Sequence, residues 1–148
     1  MMEIETVDHV GIRVADLDRA LKFYGLFGFA AEHRAENDAV VVIKNRHQVE
    51  INLVYNANND SGGKNILMDV PDKYPGYTHV AFRVSSIADT IEMLRENHIK
   101  ITQGPVSFGR GGHVSVFVRD PDRNVIELRG RGQDPGSIEG VSFYENVN

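Results

Sequence analysis

DHVGIRV, residues 8–14, returns seventy residues later as THVAFRV, residues 78–84. Side chains of an extended strand alternate between its two faces, so His9, Gly11 and Arg13 share one face while Val10, Ile12 and Val14 share the other. The second copy puts His79, Ala81 and Arg83 in the same relation. The apolar face must pack on something, which leaves one histidine and one arginine per copy on the opposite, concave side. A strand written twice makes a duplicated fold the first possibility to test.

The offset of seventy continues without a gap from His9/His79 to Phe29/Ile99. Apolar pairs at helical spacing follow each strand: Leu17/Ile87, Leu21/Ile91, Phe23/Met93 and Tyr24/Leu94. Asp16 is placed to cap the first helix, and Ser86 with Asp89 resembles a capping box on the second. Gly28 supplies the left-handed residue that often ends a helix. Three strand candidates then follow in each copy, at 30–35, 39–44 and 47–55, and again at 100–103, 113–119 and 125–129. The whole chain, residues 1–148, therefore reads as one α+β domain of two βαβββ modules, 5–56 and 77–130. The linker 57–76 is rich in Asn, Gly and Pro, and the tail 131–148 is expected to be a loose end or an arm laid on a partner subunit.

Composition narrows the function. The formal charge of −5 is mild and the basic residues are scattered, which argues against a nucleic-acid partner. With no cysteine, disulfides, thiolate metal sites and a cysteine nucleophile are excluded. The opening MMEIETVDHV is too acidic for a signal peptide and no apolar run approaches membrane-spanning length, so a cytoplasmic location is expected.

Two histidines at equivalent places would converge near the axis relating the modules. In NVIELRG, residues 124–130, Glu127 alternates against Ile126 and Leu128 and points away from the packing face. A buried carboxylate needs a partner or a metal, and two imidazoles with one or two carboxylates suit Ni, Mn, Fe, Co or Zn with open positions for substrate. Salt bridging by Arg13, Arg83 or Arg129 is the plainer alternative for Glu127. Module 1 offers two acceptors for the matching place. Aligning RHQVEI with RNVIEL by Arg46 and Arg123 sets Glu50 opposite Glu127 and is slightly favoured, while NLVYN presents Asn52 two residues further along the same face. Arg13 and Arg83 suit an anionic substrate group. His33, His47, His98 and His113 lack a histidine partner in the repeat and read as surface or structural residues. The segment 104–112, with Arg110, lacks the ending of a phosphate-binding P-loop and reads better as a flexible lid.

The double βαβββ layout with His9, His79 and Glu127 resembles the vicinal oxygen chelate superfamily, which includes glyoxalase I, extradiol dioxygenases and the fosfomycin and bleomycin resistance proteins. FVRDPDRNVIEL, residues 117–128, is similar to the family's Asp-Pro-Asp-Gly-Asn turn and ligand glutamate, with Arg123 replacing the usual glycine. The resemblance covers residues 5–130 and is greatest to the lactoylglutathione lyase branch. It implies a curved mixed sheet around a metal cavity and one divalent metal ion on His9, Glu50, His79 and Glu127, with Asn52 as the alternative to Glu50. It further implies Glu127 or Glu50 as general base and substrate contacts from Arg13, Arg83, Asn52 and Arg110. A small substrate with adjacent oxygens and a homodimer are expected. A His-His-Glu iron dioxygenase and a resistance-type protein are the competing members.

Overall fold

A computed structural model describes residues 1–108, 112–131 and 137–144, except for the side chain of Glu36. The fold is α+β, with two mixed sheets and two helices. The chain divides into two compact units, residues 1–72 with 121–123, and residues 73–120 with 124–148.

Unit 1 contains β1 (Val10–Arg13), α1 (Leu17–Leu26), β2 (Ala30–Ala35), a 3-10 turn (Glu36–Asp38), β3 (Val40–Lys44) and β4 (Glu50–Val54). Its strands lie in the order β1-β4-β3-β2, with β1 parallel to β4 and the other pairs antiparallel. Asp16 accepts a hydrogen bond from the Arg19 amide at 2.8 Å, as an N-cap should, and Gly28 has φ +85° after the helix. The alternation Val41, Ile43 against Ile51, Leu53 buries one face of the sheet, where Ile12, Val14 and Tyr24 are also buried. His9, Gly11 and Arg13 are exposed, as the alternation requires.

Unit 2 repeats this plan with β5 (Val80–Arg83), α2 (Ile87–Glu96), β6 (Ile101–Phe108), β7 (His113–Arg119) and β8 (Val125–Arg131), and adds β9 (Ser142–Tyr144). The order is β5-β8-β7-β6-β9, with β5 parallel to β8. Ser86 Oγ accepts from the Asp89 amide at 3.2 Å, capping α2. Val114, Val116 and Val118 of β7 are fully buried with Ile126 and Leu94.

Several boundaries differ from expectation; β4 is shorter than the expected 47–55, and β8 runs past 129 to Arg131. The first strand of each unit starts at Val10 and Val80, two residues inside the stretches 8–14 and 78–84, because its ladder partner begins only at Glu50 and at Val125. Strand β6 runs to Phe108, well beyond Gln103, since its ladder with β7 continues to Ser107 and it also pairs with β9. The tail is correspondingly not wholly loose: residues 142–144 add a parallel strand against 106–108, satisfying an edge that would otherwise present unpaired backbone groups.

Both units turn from their third strand to their fourth through a five-residue loop, Asn45 to Val49 between Lys44 and Glu50, and Asp120 to Asn124 between Arg119 and Val125. In each, the first residue's amide donates to the fifth residue's carbonyl, at 3.2 and 3.0 Å. The fourth residue is left-handed in both, Gln48 at φ 63° and Arg123 at φ 69°. Arg123 thus takes the conformation for which a glycine is the usual choice. Within unit 1, Asp122 Oδ1 accepts from the Ala15 amide at 3.1 Å and from Arg19 Nη2 at 2.9 Å. No helix of the described residues is long and apolar enough to cross a membrane.

Candidate metal centre

In unit 2, the register β5–β8 sets Ala81 opposite Glu127, so the glutamate lies one alternation beyond His79 on the same face. His79 Nε2 is 3.1 Å from Glu127 Oε2, and His79 Nδ1 is 2.9 Å from Thr78 Oγ1. The other carboxylate oxygen, Oε1, accepts from Ser115 Oγ at 2.6 Å, while Arg129 Nη1 donates to the same hydroxyl oxygen at 3.2 Å. Arg129 is 3.9 Å from Oε1, so the expected arginine pairing is present but is the longest of these contacts. The Phe117 ring meets His79 edge-on at 5.6 Å between centroids. Glu127 is only 10% exposed, and its burial is offset by this set of partners.

In unit 1, ligand atoms of Asp8, His9 and Glu50 lie within 4.8 Å of one another. His9 Nδ1 contacts Asp8 Oδ1 at 2.6 Å. Glu50 is paired with Lys44 at 3.3 Å, directly across the β3–β4 ladder, and Lys44 also reaches Glu32 at 3.1 Å. Hydrogen bonds to Glu32 and then Glu50 raise the Lys44 ammonium above its ordinary value.

The strand register corrects the alignment by arginines. Asn52 pairs with Gly11 as Glu127 pairs with Ala81, and Asn52 faces Val42 as Glu127 faces Phe117. The turns agree, because Gln48 and Arg123 are equivalent whereas Arg46 and Arg123 are not. Asn52, not Glu50, is therefore the internal counterpart of Glu127, and Glu50 is its neighbour two residues back on the same face. Asn52 Oδ1 is buried without a hydrogen-bond partner among the described residues. An orphaned buried amide oxygen is an uncompensated cost unless something coordinates or donates to it.

Taken unit by unit, the donors fit a divalent metal chemically: each unit carries one imidazole and at least one oxygen donor on one face of its own sheet, and unit 2 holds its carboxylate in a fixed orientation. Arg13 and Arg83 are exposed on the same faces as His9 and His79. Arg110 lies outside the described residues. Sequence reasoning missed Ser115, Asp8, Thr78 and Lys44. A polar residue alternating with valines in HVSVFVR was the available signal for Ser115; the residues preceding His9 and His79 gave none.

Residues 6–128 match the Glyoxalase/Bleomycin resistance protein/Dioxygenase superfamily, and the chain belongs to that family. It is 30% identical over 130 residues to a lactoylglutathione lyase of Salmonella typhimurium, covering 81% of this chain and 88% of the relative. It is 28% identical to virulence protein STM3117 of the same organism, covering 86% of this chain and 85% of the relative. The crystal structure of that virulence protein superposes with a TM-score of 0.63 at 26% identity, covering 88% of this chain and 100% of the other. A protein from the mobile metagenome of V. pseudocholerae shares the fold, with a TM-score of 0.66 at 24% identity over 90% of this chain and 99% of the other.

Proposed function

We propose that the chain is a divalent-metal-dependent enzyme of the lactoylglutathione lyase type, a lyase or isomerase acting on a small substrate with adjacent oxygens or on its thiol adduct. His9, His79 and Glu127 would hold one Ni, Zn, Mn, Co or Fe ion, with Glu50 as the fourth donor. The observation that supports this most is Glu127, a carboxylate with Oε1 tied to a buried hydroxyl and Oε2 turned to a ring nitrogen. Such a carboxylate is built for a cation more than for solvent.

When bound, the metal supplies Lewis acidity to the paired substrate oxygens and so acidifies the adjacent C–H. The protein's part is then proton handling. Glu127 Oε2, the oxygen Ser115 leaves available, takes the proton and returns it to the neighbouring carbon, with Glu50 as the second candidate base. Asn52 orients a substrate oxygen through its free amide, and Arg13, Arg83 and Arg110 bind an anionic portion of the substrate. We place this activity in a cytoplasmic homodimer, with the four ligands supplied by one chain or shared between two.

Asn52 favours a second reading. With an amide at the register position of Glu127, the set becomes two histidines and one carboxylate, which leaves adjacent open positions suited to an extradiol-type dioxygenase or a fosfomycin-resistance-type reaction. Metal analysis of the protein as purified, followed by metal-restored assays on methylglyoxal–glutathione hemithioacetal and on a catechol, decides between them. Isomerisation supports the lyase and ring cleavage the dioxygenase. Unchanged metal content in a His9→Ala, His79→Ala double variant overturns the site itself.

A further inference from the structure

The face of unit 2 that carries His79 and Glu127 continues in a direction the metal does not explain. One alternation beyond Glu127, the parallel register sets Arg83 directly opposite Arg129, and the antiparallel register sets Ser115 opposite Arg129 from the other side. The next row pairs His113 with Arg131. Like charges directly opposite in a sheet are destabilising, so a strand pair does not place two guanidiniums together without some compensation. Among the described residues, the carboxylate in contact with Arg129 is Glu127, at 3.9 Å, and that group is already engaged by Ser115 and His79. Arg83 makes no ion pair with a described residue and is exposed on this face. His113 is half-buried close enough to feel Arg129, Arg131 and Arg83 together.

We infer that Arg83, Arg129 and His113 form an anion subsite that recognises a carboxylate or phosphoryl group on the substrate, with Arg83 and Arg129 about 7 Å along the strands from the Glu127 row and His113 one row further. The inference rests on the proposed function for the meaning of "substrate", and it names that substrate's class: a molecule with adjacent oxygens at one end and a fixed negative charge at the other. Arg129 is the central element, because its guanidinium is oriented by Ser115, the same hydroxyl that fixes Glu127. Planar guanidiniums give paired N–H donors to either oxyanion, which a lysine in these places would not. His113 contributes a ring N–H donor at the far edge of the cluster.

The test uses the full chain, first stripped of metal with chelator and then metal-loaded. Inorganic phosphate and malonate are titrated separately while the arginine side-chain Nε–H and histidine ring signals are followed by NMR. Saturable shifts at Arg83, Arg129 and His113, weakened at least tenfold in Arg83→Gln and in Arg129→Gln, are expected. The tighter of the two anions assigns the group as phosphoryl or carboxylate. Because Arg129→Gln removes the donor to Ser115 and so perturbs the buried network, the exposed Arg83→Gln variant and the wild-type shift pattern each stand alone as readouts. Absence of saturable binding by both anions, or shifts confined to other arginines, overturns the subsite. Since the chelated protein is used first, these outcomes are separable from loss of metal content, which tests the ligand set.

Discussion

Ser115 Oγ donates to Glu127 Oε1 at 2.6 Å while accepting from Arg129 Nη1 at 3.2 Å, so one buried hydroxyl fixes both an acid and a base of the same sheet face. Hydrogen bonds to charged groups are worth about 1.5–3 kcal/mol, and partners behind a metal ligand typically affect metal affinity by roughly 10–100-fold. Ser115→Ala is therefore expected to lower stability by about that energy and to weaken metal binding tenfold or more. Denaturant unfolding and metal titration check the two parts; unchanged affinity would make Ser115 a packing residue only.

The fourth donor is resolved by two opposite substitutions. With Glu50 as ligand, Glu50→Gln weakens metal binding at least tenfold and leaves the fold intact, because Glu50 is half-exposed and its lost partner Lys44 still has Glu32. Asn52→Glu restores the symmetry of the repeat and is expected to tighten metal binding. Full affinity in Glu50→Gln would give the position to Asn52.

Gly104 lies on β6 with φ +88°, and a Cβ there would stand 2.5 Å from the Ser115 carbonyl oxygen. Gly104→Ala meets both a clash with backbone and an unfavourable conformation, and is expected to cost roughly 1–3 kcal/mol. Thermal melting measures it. The accompanying shift of Ser115 should reduce activity beyond what lost stability accounts for.

Burial, followed by the guanidiniums of Arg129, Arg131 and Arg83, holds the His113 imidazole below its ordinary value. The unfolded chain therefore binds this proton at a higher pH than the folded protein, and stability falls as pH drops below roughly 6.5. Above that pH the contribution is complete. His113→Gln is expected to flatten the decline between about pH 7 and 5, measured as the melting-temperature difference between variant and wild type. An identical slope in the two proteins contradicts it.

How much of this was legible in the sequence depends on which half of the module is considered. The faces of β1 and β5, both helix caps and the exact span of β7 follow from alternation and capping chemistry. The front half of each module repeats at an offset of seventy, as in His9/His79, but the back half repeats at seventy-five, as in Gln48/Arg123 and Asn52/Glu127. Arg46 and Arg123 are seventy-seven apart, so matching them slid the strand by two residues and put Glu50 where Asn52 belongs. A slip of two preserves the face, and so the alternation gave no warning. The left-handed turn residues would have corrected it, but neither Gln48 nor Arg123 advertises a positive φ as glycine does. The contacts of Ser115 were illegible for another reason, since they depend on the register in which β7 and β8 pair across their turn.

Asn52 in the fourth position, in place of Glu50, would alter the electrical balance of the proposed centre. Two carboxylates would neutralise a dication completely, whereas one carboxylate and one amide leave it with a surplus of positive charge. That surplus is available to the incoming molecule, and it rewards an oxygen that sheds its proton on arrival over one that stays neutral. With Asn52 as donor, the two repeated modules would contribute unequal charge to the metal, and the preference among substrates would be written in that inequality.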